Sequence, residues 1–197
     1  MNPQPQLVIV GGANGTGKTT FARQYAQTEN LPYLGADDIA FQLAPSNPAA
    51  VRVAAGREFS RRLSVALKTQ QSLVIESTLS GGSLARTIAK AREDGYLITI
   101  VFVFLDSEAL CLHRIAGRVQ QGGHDVPEDD VRRRFGRVFP VFWHQYRPLA
   151  ERCLVVYNGG DSFGEVADAE HDEWVIYDDA LWEKFNGFLQ GVTDENK

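Results

Sequence analysis

The sequence predicts a three-layer α/β fold around a mostly parallel sheet of five strands, and three observations carry that expectation. Short apolar runs alternate along the chain with segments of helical periodicity, the pattern of strand–helix–strand units. The run Leu97–Leu105 is apolar except for Thr99, as a parallel strand covered on both faces should be. The first run, Leu7–Val10, ends at Gly11-Gly12 and leads into a helix through a glycine-rich turn.

Taken in order, Lys18–Gln27 reads as the first helix and Pro32–Leu34 as a second short strand that ends at Gly35-Ala-Asp-Asp. A proline-bounded loop precedes a long amphipathic helix over 48–69, and Ser72–Ile75 is the third strand. Helix 83–94 is stopped by Gly95. After the strong fourth strand come a helix over 108–121, a glycine-containing loop, and a helix over 128–147 with an expected irregularity at Pro140. Leu154–Tyr157 is the fifth strand, Trp174–Tyr177 a candidate edge strand, and Leu181–Leu189 the closing helix. A single domain over 1–190 is expected, with a lid at about 114–137 and a frayed tail over 191–197.

Composition narrows the function. The 197 residues carry a formal net charge of −5, against the basic balance of a protein that grips nucleic acid non-specifically. The two cysteines, Cys111 and Cys153, fit no metal or redox spacing and are expected to be reduced packing residues. No signal-peptide pattern opens the chain and no apolar run could cross a membrane, so a cytoplasmic location is expected. Charge is uneven: seven of 15 arginines lie between Arg114 and Arg147, whereas Cys153–Glu183 holds many acids and no lysine or arginine. Such clusters serve either as solvated faces or as a phosphate-binding array.

The strongest motif is Gly12-Ala13-Asn14-Gly15-Thr16-Gly17-Lys18-Thr19, which matches G-x-x-x-x-G-K-[ST] between a strand and a helix. Its glycines let backbone N–H groups converge on phosphates at the positive end of the following helix. Lys18 is placed to reach the β- and γ-phosphates of ATP, Thr19 to ligate Mg²⁺, and Thr20 to continue the nucleotide site. This makes the chain a P-loop NTPase by sequence. No N-K-x-D guanine motif follows a late strand. Leu79-Ser-Gly-Gly-Ser83 looks like the signature of ABC ATPases, and Val101–Asp106 like their Walker B strand. The former follows the phosphate loop too soon to leave space for their helical subdomain.

A kinase needs an acid at the acceptor hydroxyl, metal ligands and arginines over the moving phosphoryl group. Asp37 and Asp38 follow the second strand at the edge of the sheet where ligands bind; Asp37 suits the chemistry and Asp38 a helix cap. Glu76 ends the third strand, where it could hold Mg²⁺ or substrate; without such a role its burial would be costly. Arg114 and Arg118 share one helix face, and Arg133 and Arg134 follow the glycine loop, as in a lid; pairing with Asp125, Glu128, Asp129 and Asp130 is the ordinary alternative. Asn158, after the last core strand, is a candidate nucleotide contact or a simple turn residue.

Four stretches together resemble the zeta-toxin family of P-loop kinases, in its short standalone bacterial branch. They are Gly11-Gly-Ala-Asn-Gly-Thr-Gly-Lys-Thr-Thr20, Leu34-Gly-Ala-Asp-Asp-Ile-Ala40, Leu73-Val-Ile-Glu-Ser-Thr-Leu-Ser-Gly81 and Arg118-Val-Gln-Gln-Gly-Gly-His-Asp-Val-Pro-Glu128. The resemblance implies a fold related to nucleotide and shikimate kinases, with the family's catalytic aspartate on Asp37, its lid arginine on Arg118 and its substrate threonine on Thr78. The nearest carboxylate to the family's substrate-binding glutamate is Glu58, and a lid position often occupied by arginine falls on His124. Transfer from ATP-Mg²⁺ to a small-molecule hydroxyl is therefore expected. A nucleotide sugar such as UDP-N-acetylglucosamine is the implied acceptor, and an antitoxin a possible protein partner. The alternatives are a nucleotide-dependent switch or binding ATPase without an acceptor and a polynucleotide 5′-kinase.

Overall fold

The computed structural model describes residues 4–79, 81–120, 123 and 125–190. Its sheet has seven strands in the order β2-β3-β1-β4-β5-β6-β7. They are β1 (Gln6–Gly11), β2 (Tyr33–Leu34), β3 (Leu73–Ser77), β4 (Leu97–Phe104), β5 (Arg152–Tyr157), β6 (Gly164–Glu170) and β7 (Glu173–Ile176). The first five run parallel, as expected, and β6 and β7 extend the sheet in antiparallel sense. β6 is the strand the sequence concealed. Its GEVADAE alternates acids with small residues, and only Val166, Ala167 and Ala169 are buried.

The helices are α1 (Lys18–Thr28), α2 (Ala36–Leu43), α3 (Arg52–Lys68), α4 (Ser83–Glu93), α5 (Glu108–Gln120), α6 (Glu128–Val141) and α7 (Asp179–Gln190). The long helix expected over 48–69 is divided: a 3₁₀ turn, Pro48–Val51, precedes α3. Pro140 sits one residue before the end of α6, which passes into a π-helix at Phe142–Tyr146 and a 3₁₀ turn at Arg147–Leu149. A proline lacks the N–H that would continue the ladder, and the chain answers with irregular turns there. The expected frayed tail, 191–197, lies outside the described residues.

Strand alternation sorts the core by size. Leu7, Ile9, Leu73, Ile75, Ile98, Ile100, Phe102 and Phe104 face one layer. Val8, Val10, Val74, Val101, Val103 and Val156 face the other, joined by Ala22 and Ala26 of α1. Short side chains on both surfaces suit a close approach of α1, while the bulky face is filled by residues of α3, α4, α5, α6 and α7. β1 thus sits in the middle of the parallel sheet with β3 and β4 on its flanks. Successive connections leave it in opposite directions, so a crevice opens beyond its C-terminal end.

Phe185 of α7 is fully buried, with its ring centroid 5.7 Å from Phe102, 5.6 Å from Phe104 and 5.8 Å from Phe139. Phe185→Ala is expected to lower the urea-unfolding free energy by about 3–5 kcal/mol. Val65→Ala, at an exposed position on α3, should change it by less than about 0.5 kcal/mol.

Candidate active site

The crevice beyond β1 is a cleft of about 1100 Å³. Its floor is the turn from β1 to α1. Gly12 (φ 140°) passes so close to β4 that a Cβ there would stand 2.1 Å from the Val103 carbonyl oxygen. Gly17 (φ 92°) occupies the left-handed region as the N-cap of α1, with no side-chain cap and no acid in the first turn of that helix. The positive end of α1 is therefore left for a ligand. The loop is braced from within and from outside. The buried Thr16 hydroxyl donates to the Ala13 carbonyl at 3.0 Å, and the Asn158 amide donates to the Thr16 carbonyl at 2.8 Å. Asn158 stands behind the loop and does not line the cleft. The contact it makes there is one that positions the loop.

Lys18 Nζ folds back to donate to the Ala13 carbonyl at 2.6 Å. Burial lowers its pKa from the ordinary 10.5 to about 8, opposed by the charges of Glu76, Cys111 and Asp37. Those oppositions place two of the expected acids within the electrostatic reach of Lys18.

One wall of the cleft is acidic. α2 begins at Ala36 with Gly35 as its N-cap, so Asp37 and Asp38 lie in its first turn, and the expected cap role of Asp38 is corrected. Asp38 is instead held by Arg23 at 2.5 Å, while Asp37 is exposed to the cleft. Arg23 was missed by sequence reasoning, although Thr19 and Arg23 are four apart on α1 and both line the cleft. Glu76 lies within β3 and also lines the cleft, and among the described residues its buried Oε2 has no partner at hydrogen-bond geometry. The buried Tyr33 hydroxyl lies beside it, and burial, followed by the charge and the side chain of Glu76, raises the phenol pKa. Thr78 completes this wall.

The facing wall is cationic. Arg114 and Arg118 both line the cleft from α5, as their spacing implies. On α6, Arg134 reaches the phosphate loop: it donates to Asn14 Oδ1 at 3.2 Å and to Asp130 Oδ2 at 3.2 Å. Arg133 projects elsewhere, exposed and paired with Asp130 at 2.6 Å. Neighbouring residues on a helix diverge by about 100°, so the two arginines reach Asp130 from different sides, and Arg134 is the one that also meets Asn14. Arg52 of α3 donates to the Asp125 carbonyl at 2.6 Å and joins the two sides at the far end. Phe41, Phe59 and Val126 give that end an apolar lining.

One expected substrate contact, Glu58, falls elsewhere. Glu58 stands outside the cleft with both carboxylate oxygens taken by Arg61 and Arg62, and these hydrogen bonds lower its pKa to about 2. His124 lies outside the described residues.

The fit to Mg²⁺ rests on the orphaned Glu76 oxygen together with Thr19. Among the described residues no cluster of three or more His, Cys, Asp or Glu side chains could cage an ion. Mg²⁺ is suited by one or two protein oxygens plus water and substrate phosphates, which is what this donor set offers.

The strand order, the glycine-rich loop and the helix beyond it define a P-loop kinase-like domain. Residues 7–140 match the AAA domain family AAA_33, and the chain belongs to that family. An uncharacterised protein of Haemophilus influenzae is 33% identical over 132 residues, 67% of this chain and 94% of its own. The crystal structure of a putative kinase from Chloroflexus aurantiacus J-10-fl superposes with a TM-score of 0.60 at 21% identity, over 80% of this chain and 90% of that one. The PezAT chromosomal toxin–antitoxin system of Streptococcus pneumoniae provides a second similar structure. It has a TM-score of 0.65 at 14% identity, covering 98% of this chain and 89% of the matched one. At these identities the two structures establish the fold.

Because burial depresses the Lys18 pKa, a charged Lys18 opposes folding of the free protein below about pH 8, and the opposition fades as pH rises towards 10.5. Lys18→Met should therefore raise the melting temperature at pH 7, with a smaller gain at pH 10. Thermal unfolding of both proteins at the two pH values measures this.

Proposed function

We propose that the protein is an ATP-dependent kinase that transfers the γ-phosphoryl group to a hydroxyl of a small molecule. The observation that carries this reading is the meeting, in one cleft, of a phosphate loop, an acidic wall and an arginine wall on opposite sides of it. A binding module for nucleotide alone has no use for Asp37 facing the space beside the triphosphate tail.

The loop amides and Lys18 hold the phosphates of ATP. The acceptor lies against the α2 and β3 wall, between Asp37, Glu76 and Thr78. Asp37 accepts the proton of the acceptor hydroxyl as its oxygen forms a bond to the γ-phosphorus. The bond from that phosphorus to the β–γ bridging oxygen breaks, and ADP leaves with the electron pair. Arg118, Arg114 and Arg134 stabilise charge on the phosphoryl group in transit; the contact of Arg134 with Asn14 supports adding it to this set. Thr19 and Glu76 would hold a magnesium ion, which supplies charge neutralisation on the phosphates.

The finer reading is zeta-toxin-like: a nucleotide sugar such as UDP-N-acetylglucosamine as the acceptor and an antitoxin as a protein partner. Its support is the four sequence stretches quoted above together with the structural likeness to the PezAT system.

The test is ATP turnover with a panel of nucleotide sugars, sugars and nucleosides. Turnover should depend on an added acceptor. Asp37→Asn should lower kcat about 10²–10⁴-fold, the usual worth of a general base, while ATP affinity stays within about twofold. Acceptor-independent hydrolysis that Asp37→Asn leaves unchanged would contradict the kinase reading and favour a nucleotide switch.

A further inference from the structure

The antiparallel extension of the sheet takes no part in the cleft, and among the described residues its outer strand pairs on one side only. β6 and β7 are joined by the two-residue turn His171–Asp172, with φ of 51° and 69°. Two consecutive positive φ values are the mark of a type I′ hairpin, which makes Glu170 and Glu173 the closing hydrogen-bonded pair. Antiparallel alternation then turns the backbone groups of Glu173 and Val175 towards β6. The Tyr177 N–H keeps the same phase by donating to the Val166 carbonyl at 2.9 Å. The N–H and C=O groups of Trp174 and Ile176 are left pointing outward from the last strand of the sheet.

This edge is apolar. Val175, Ile176 and Tyr177 are 54%, 41% and 56% exposed, three consecutive large side chains on an open edge. An unprotected edge of this kind invites another strand. What surrounds it selects the visitor. Glu165, Glu170, Glu173, Asp179 and Glu183 are exposed and have no salt bridge among the described residues. The nearby cations are already taken: Arg147 by Asp172 at 2.6 Å and Arg152 by Asp168 at 3.4 Å. A second copy of this chain would bring an identical acidic rim against the first, with a net charge of −5 on each molecule.

We propose that the open edge of β7 is a docking strand for a basic, extended segment of another polypeptide. The segment adds an eighth strand, exchanges backbone hydrogen bonds with Trp174 and Ile176, packs apolar side chains on Val175 and Tyr177, and sets lysines or arginines against the acidic rim. The surface lies on the opposite flank of the sheet from β2 and the acidic wall of the cleft, so it recruits a partner without occupying that wall.

The probe is a short capped peptide of alternating lysine and valine, added to the full-length protein. Amide hydrogen exchange should show protection of Trp174 and Ile176 rising by at least about tenfold, since strand pairing removes these N–H groups from solvent. A peptide of the same charge with a central proline should give no such protection. Ile176→Pro deletes one outward donor while leaving the bonds to β6, and should weaken peptide binding about tenfold or more; Glu173→Lys should weaken it in a salt-dependent way. The proposal is overturned if the alternating peptide does not bind. It is equally overturned if the proline-containing peptide binds as well, or if protection appears away from β7. Sedimentation showing that the protein alone dimerises through this edge would also overturn it, by naming a second copy as the occupant.

Discussion

The turn between β1 and α1 must point its amides into a cleft, and the few hydrogen bonds within it, to the Ala13 carbonyl, leave most of its shape to be set from outside. It is held by its surroundings. Gly12 lies against the Val103 carbonyl of β4 with no room for a side chain. Asn158, beyond β5, fixes the Thr16 carbonyl, Thr16 fixes Ala13, and Arg134 of α6 reaches Asn14. Three elements far apart in sequence therefore set the shape of one short loop. The valine face of the sheet, which lets α1 lie close, belongs to the same constraint, because it fixes where the positive end of that helix points.

From that floor the rest of the site follows by topology. β3 and β4 flank β1, so the residues at their C-terminal ends come to the same crevice. β3 brings Glu76 and Thr78, and the turn after β2 brings Asp37. α5 and α6 bring cations from the other side. Opposite charges facing one another across an empty space keep Lys18 electrostatically coupled to Glu76 and Asp37 while burial pulls its proton affinity down. A phosphate-rich ligand would reverse that imbalance, which is why Lys18 is uncomfortable in the free protein and suited to a bound anion.

The parallel core was legible in the sequence because its signals are local and strong. The run at Leu97–Phe104 admits few readings, and the glycine pattern after β1 carries its own backbone geometry. β6 was not legible, since an alternation of acids with alanine resembles a solvated loop and becomes a strand only when β5 and β7 offer partners on both sides. Within the site, residues one helical turn apart could be assigned together, as Arg114 and Arg118 show. Choices between adjacent residues could not: Arg133 and Arg134 look alike in sequence and differ in the structure by a rotation about the axis of α6. Glu58 has the right chemistry on the expected helix, but the neighbouring Arg61 and Arg62 claim it, which depends on rotamers as much as on spacing. Asn158 could not be placed behind the loop from sequence, because its contact spans 142 positions.

Every proposed step requires the loop to grip a triphosphate tail. Isothermal calorimetry of ATP binding with magnesium, for the wild-type protein and for Lys18→Ala, tests it most directly. Measurable affinity that falls by about 10²-fold or more on losing the lysine, the range expected for a charge-assisted contact of about 3 kcal/mol, is the predicted result. No binding by the wild-type protein, or equal binding by Lys18→Ala, would contradict it.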